Sequence, residues 1–195
     1  LKDSAAALRQ SRHVKGRVEV VPLPGAEYTV LIDYAHTPDA VENVLRSVRG
    51  FAKGRVVALL GCGGDRDKTK RPKMGAAAAA LADLVIVTSD NPRTEDPRGI
   101  IQDILAGMYR SQTPHIVVED RAAAIVYAMD QAQKDDVIVL MGKGHETYQE
   151  INGVQYHLDE REVVAGYFRG QREGAGKKQG QGTENGGKVP AYVVK

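Results

Sequence analysis

Residues 55–89, RVVALLGCGGDRDKTKRPKMGAAAAALADLVIVTS, decide the fold. An apolar run from Arg55 to Leu60 breaks at Gly61 into a loop of glycines and charges. Arg71–Ala82 then has the alanine content of a helix, and a second apolar run, Leu84–Ser89, closes the unit. Runs this continuously apolar belong to strands covered on both faces, as in parallel sheets with crossover helices.

The same alternation extends in both directions. Strands are predicted over Arg17–Leu23, Tyr28–Asp33, His115–Glu119 and Val137–Met141, and helices over Pro38–Phe51, Pro97–Tyr109 and Arg121–Gln133. In the first helix Ala40, Val41, Val44, Leu45 and Val48 recur at helical spacing, and Thr37-Pro38 supplies a cap and a first-turn residue. Pro24-Gly25 turns the first strand back on the second, and Asn152-Gly153 joins Thr147–Ile151 to Val154–Leu158 as a hairpin. The expected fold is α/β: a Rossmann-like, doubly wound, mostly parallel sheet with an antiparallel edge and a C-terminal β-hairpin.

The chain has 195 residues, the size of one domain with appendages, and its 42% hydrophobic and 27% charged content is that of a globular protein. Its formal charge is +2, yet residues 170–195 alone carry five basic and two acidic groups, so the rest is slightly acidic. That distribution gives no support to a nucleic-acid partner. The tail holds no Val, Leu, Ile, Phe or Met before Val189, so 170–195 is expected to be disordered. Residues 1–15 read as a connector and 16–169 as the domain. Cys62 is the only cysteine, which excludes an internal disulfide and suits a reducing, cytoplasmic setting. No apolar run is long enough to span a membrane, because Asp83 interrupts the best one. A start at Leu1 and the absence of a signal pattern suggest a piece of a longer protein.

Ligands of open α/β sheets bind beyond the carboxyl ends of the strands. Four loops leave that edge: Asp33–Asp39, Gly61–Lys68, Asp90–Arg93 and Gly142–Glu146. The glycines of the second loop could turn N–H groups toward an anion, although a surface turn with self-paired charges would have the same composition. It is not a P-loop, since GxxxxGK[ST] occurs nowhere. Cys62 beside them has no assigned base and reads as a small buried thiol. In Asp90-Asn91-Pro92-Arg93 an acceptor and a planar guanidinium suit a zwitterion, whereas an ordinary turn would place the same charges in solvent. His145 reads more readily as a hydrogen-bonded structural residue than as a ligand, and His36 as a cap on the turn into the helix at Pro38.

Several of these segments, in order, resemble the C-terminal domain of the Mur ligases, from about Val14 to Phe168. Gly16-Arg17-Val18-Glu19 and all four loops match, and Asp90-Asn91-Pro92-Arg93 resembles the signature of the diaminopimelate-adding branch. The resemblance implies that Arg66, Asp90, Asn91, Arg93, Gly142 and Glu146 hold meso-diaminopimelate, and that Arg17, Asp33 and His36 approach ATP. Lys68 receives no role from it. It further implies ATP-dependent amide ligation to UDP-MurNAc-L-Ala-D-Glu in peptidoglycan synthesis. Mg²⁺ and the phosphate loop would belong to a central domain absent here, so the chain would bind the amino acid as a monomer without catalysing alone. Two other readings are a metal-dependent phosphoesterase built on Asp33, His36, Asp65, Asp67, His145 and Glu146, and an amino-acid-binding module without ligase activity.

Overall fold

The structure, a computed structural model, describes residues 14–177. Six strands form the central sheet: β1 (Glu19–Val21), β2 (Thr29–Asp33), β3 (Val56–Leu60), β4 (Leu84–Val87), β5 (His115–Val117) and β6 (Val137–Met141). Their spatial order is β1-β2-β6-β3-β4-β5, with β1 antiparallel to β2 and every other pair parallel. Helices α1 (Pro38–Arg49), α2 (Lys70–Leu81), α3 (Pro97–Ala106) and α4 (Arg121–Asp130) make the crossovers, and a separate hairpin pairs β7 (Tyr148–Ile151) with β8 (Val154–His157). The expected architecture is the one observed.

Alternate residues of the strands feed two cores. Val56, Ala58 and Leu60 of β3 pack with Leu45 and Val48 of α1, Met74 of α2 and Ile104 of α3. Val57 and Leu59 of the same strand pack on the other face with Ile125 and Met129 of α4. That second core also contains Val164, from a helix the sequence analysis did not anticipate, α5 (Glu160–Lys177). Its signal lay in Val163, Val164, Tyr167 and Phe168, one helical face, behind Asp159, whose carboxylate accepts from Arg161 N at 2.9 Å. The helix extends into the expected tail as far as Lys177; residues 178–195 and most of the expected connector lie outside the described residues.

Where element ends differ from expectation, backbone chemistry explains it. β1 starts only at Glu19 because Val18 adopts φ 44° and donates its N–H to Asp33 Oδ2 at 2.8 Å. Pro22, which has no N–H, follows its last residue. α3 stops at Ala106 where Gly107 meets α2 so closely that a Cβ would lie 1.7 Å from the Pro72 carbonyl oxygen. The register matters most for function. Asp33, Met141 and Leu60 stand side by side, with Val87 paired to Leu60, so four loops leave the sheet from one level.

Candidate functional site

The loop after β3 owes its glycines to crowding. Gly64 donates its N–H to Asn91 O at 2.9 Å and accepts from Arg93 Nη1 at 2.8 Å, and a Cβ here would stand 1.9 Å from the Pro92 carbonyl oxygen. This glycine therefore binds the neighbouring loop and does not offer its N–H to an anion, as the composition suggested. The charges of the loop are braced from α3's entry. Glu95 accepts from buried Arg71 at 2.8 and 3.0 Å and from Asp65 N at 2.6 Å, and Lys68 Nζ lies 3.1 Å away. Lys68 is thus a brace. Arg71 beside Glu95 holds its carboxyl at about 2. Arg66 remains exposed, touching only the Asp65 carbonyl at 3.0 Å.

After β4, Asp90 and Asn91 are buried. Asn91 Oδ1 accepts from Lys143 Nζ and from Glu150 N, each at 3.0 Å, which fixes the amide so that Nδ2 donates to Glu146 Oε2 at 2.8 Å. Asp90 lies 3.6 Å from Arg121 Nη1 and 4.0 Å from Lys143 Nζ. Arg93 adopts φ 52°; its Nε faces Glu150 Oε2 at 3.2 Å.

The loop after β6 begins with Gly142 at φ 116°, where a Cβ would meet Asp90 Oδ2 at 2.5 Å. Lys143 is fully buried behind it, donating also to Tyr148 O and lying 3.5 Å from Glu146 Oε2. Burial pushes its ammonium below the ordinary lysine range. The sequence analysis quoted Lys143 in its motif but assigned it nothing; a lysine between two glycines at a strand end was the available signal. Arg121, equally buried, reaches the carbonyls of Ser89 and Met141 and the carboxylate of Glu160, whose Oε2 has no hydrogen-bond partner among the described residues. Neither Arg121 nor Glu160 had any sequence motif to mark it.

A cavity of about 250 Å³ opens between these loops. Arg66, Asp90, Asn91, Arg93, Gly142 and Glu146 all line it, together with His36, Tyr34, Lys70 and the glycine loop. Two guanidiniums and two carboxylates therefore share one small polar chamber. Arg17 and Asp33 lie to one side. Arg17 sits 5.1 Å from the Tyr34 ring centre, against which His36 and His145 also pack at 4.6 and 5.1 Å. Asp33 is buried and holds Val18. Cys62 lines the chamber, but burial pushes its thiol up to about 12, so it is no nucleophile. Among the described residues no three His, Cys, Asp or Glu side chains converge as metal ligands. His36 and Glu146, proposed for a two-metal phosphoesterase, do line the chamber, but no three of that set meet as ligands, which leaves that reading without a metal site among the described residues.

A family model described as Mur ligase, glutamate ligase domain, matches residues 16–144. The chain belongs to the Mur ligase family. It is 53% identical over 157 residues to the UDP-N-acetylmuramoyl-L-alanyl-D-glutamate–2,6-diaminopimelate ligase of Clostridioides difficile, covering 80% of this chain and 32% of that protein. The ligase of the same name from Trichormus variabilis is 53% identical over 159 residues, covering 81% and 32%. A solved structure of a UDP-N-acetylmuramoyl-L-alanyl-D-glutamate–2,6-diaminopimelate ligase superposes with a TM-score of 0.75 at 42% identity, covering 84% of this chain and 33% of that one. UDP-N-acetylmuramate-alanine ligase from Thermotoga maritima shares the fold, with a TM-score of 0.56 at 20% identity over 87% of this chain and 33% of that one. This Mur ligase domain spans about a third of the length of the curated relatives it matches.

Proposed function

We propose that this domain selects and presents meso-diaminopimelate within a cytoplasmic, ATP-dependent ligase that joins it to UDP-N-acetylmuramoyl-L-alanyl-D-glutamate in peptidoglycan synthesis. The observation that carries the reading is the single chamber shared by Arg66, Arg93, Asp90, Glu146 and the Gly142 backbone. Diaminopimelate has an ammonium and a carboxylate at each end. The guanidiniums can each take a carboxylate, and Asp90, Glu146 and the Gly142 carbonyl can accept from an ammonium. Lysine lacks the second carboxylate and would leave the remaining donors of the mostly buried Arg93 guanidinium unmet, a strong form of rejection in a polar site.

In this reading the acceptor's carboxylate takes the γ-phosphoryl group of ATP. The unprotonated amine of diaminopimelate then attacks the acyl carbon, and phosphate leaves with the bonding electrons. The chain's own residues hold the other three charged groups of the amino acid and aim the free amine. Arg17 and His36, gathered on Tyr34, form the side of the cleft proposed to face ATP, and Asp33 anchors the turn that carries Arg17. The described residues do not fit Mg²⁺, because no ligand group converges among them, so the ion is not assigned to this domain. The domain by itself is expected to bind without catalysing.

Two or three charge-assisted hydrogen bonds at ~1.5–3 kcal/mol each, set against an association cost of ~4 kcal/mol or more, predict binding in the millimolar range. NMR titration of the chain tests this. Saturable shifts are expected with meso-diaminopimelate and not with L-lysine at the same concentrations, and Arg93→Ala should abolish them. Equal responses to both amino acids would sink the selectivity argument. Adding the missing two thirds of a relative in trans and measuring ATP-dependent ligation separates a working ligase part from a module that only binds.

A further inference from the structure

The hairpin β7–β8 has no part in the central sheet, yet its first strand is laid along the Asp90–Arg93 loop. Gln149 Nε2 donates to the Asp90 carbonyl at 2.6 Å, and Glu150 N donates to Asn91 Oδ1 at 3.0 Å. The backbone of Arg93 is held twice more, its N–H by Glu150 O at 3.0 Å and its carbonyl by Asn152 N at 2.8 Å. One tyrosine carbonyl, from Tyr148, receives the buried Lys143 ammonium that also orients Asn91. Every residue of β7 before Ile151 thus contacts the loop or the lysine behind it.

From this arrangement we infer that β7 is the element that sets amino-acid selectivity, and that Glu150 is its specificity-determining positioning residue. The inference rests on the diaminopimelate reading above and adds residues to it. The physical argument starts from the difference between the two guanidiniums. Arg66 is exposed and touches one backbone carbonyl, so water can solvate it whenever no ligand is present. It can therefore attract a carboxylate but cannot penalise the absence of one. Arg93 is four-fifths buried, its backbone is pinned by β7, and its side chain is held on two sides by Glu150 Oε2 and the Gly64 carbonyl. Those contacts occupy the Nε edge and one Nη1 hydrogen, and they fix the guanidinium, which still lines the chamber, in one place for a carboxylate to meet. Discrimination against an amino acid lacking that carboxylate needs a guanidinium that cannot turn elsewhere. Glu150 supplies the restraint, without itself touching the ligand.

Freeing a side chain as flexible as arginine costs a binding site about tenfold in affinity. The test is isothermal calorimetry or NMR titration of the 195-residue chain with meso-diaminopimelate and with L-lysine, on wild type, Glu150→Ala and Glu150→Gln. The inference expects Glu150→Ala to weaken meso-diaminopimelate about tenfold while leaving the lysine response unchanged. Glu150→Gln, which keeps an acceptor facing Nε, should recover part of the loss. Thermal melts verify that the variants are folded. If Glu150→Ala binds meso-diaminopimelate as tightly as wild type, or weakens it with no recovery in Glu150→Gln, β7 is merely scaffolding and the inference is overturned. If wild type itself fails to prefer meso-diaminopimelate, the parent reading falls, and this one with it. The two failures are distinguished by whether the wild-type preference exists.

Discussion

At the scale of single residues, the site is built from charges that mostly answer one another before any ligand arrives. Glu95 shows this clearly, since it joins Arg71, Lys68 and the Asp65 backbone in one hub beneath the chamber. Its carboxyl is held at about 2, below the usual value near 4.5, chiefly by the Arg71 hydrogen bonds. A depressed carboxyl pKa contributes stability that is fully present above the unfolded value and is lost as pH falls through the folded one. The expected result is a loss of stability between about pH 4.5 and pH 2, read as a falling urea midpoint. Glu95→Gln should be less stable at neutral pH and flatter across that window; parallel profiles would remove Glu95 from the account. Arg66, Asn91, Gly142 and Glu146 were named at this scale through the family resemblance, and Asp90 and Arg93 were legible from their own chemistry in one short motif. Their partners were not. Lys143 is buried against Asn91, Glu146 and the Tyr148 carbonyl, contacts that no local pattern encodes.

At the scale of elements, local chemistry and tertiary contact divide the work. Helix α4 begins at Asp120, whose carboxylate accepts from Ala123 N at 2.7 Å. Thr69 precedes α2 without any such cap bond, its hydroxyl turned to Asp67 instead. Asp120→Ala should therefore cost about 1 kcal/mol of stability in urea unfolding, and Thr69→Ala close to nothing from capping. Equal costs would show that helix starts here depend on packing and not on caps. The hairpin turn was equally legible. Asn152 and Gly153 take φ 50° and 77°, the mirror-image turn that an Asn-Gly pair favours between antiparallel strands. What the sequence did not disclose is where that hairpin docks, because β7 binds an irregular loop through backbone groups, Gln149 and the Glu150 carboxylate.

At the scale of the whole molecule, the cleft is tied to the far helix. Arg121, on α4, reaches the carbonyls at the ends of two strands and meets Glu160 at the start of α5, both side chains being completely buried. Next along, Arg161 joins Glu19 at 2.8 Å and the Gly144 carbonyl at 3.0 Å, linking α5 to the first residue of β1 and to the last site loop. Removing one member of a buried pair strands the other in low dielectric, so Arg121→Met should destabilise the chain by about 3–5 kcal/mol. The double substitution Arg121→Met with Glu160→Met should recover part of that, because Glu160 is no longer left charged without its partner, while Asp90 still loses its neighbour at 3.6 Å. A single variant as stable as wild type would show that the pair carries no structural weight.

By itself, the sequence determined the order of strands and helices as far as the hairpin, the doubly wound sheet, and which four loops leave one edge of it. Those features follow from apolar periodicity, glycine, proline and capping residues, all of which act within a few positions along the chain. Only the tertiary structure decided that Arg66, Arg93, Asp90 and Glu146 close around one cavity, that Gly64 serves a neighbouring loop, and that β7 grips Arg93. The reason is one of range. Asn91 and Glu146 meet across 55 positions, and Arg161 and Glu19 across 142. Contacts so distant in sequence are set by strand register and packing, and local composition carries no trace of them.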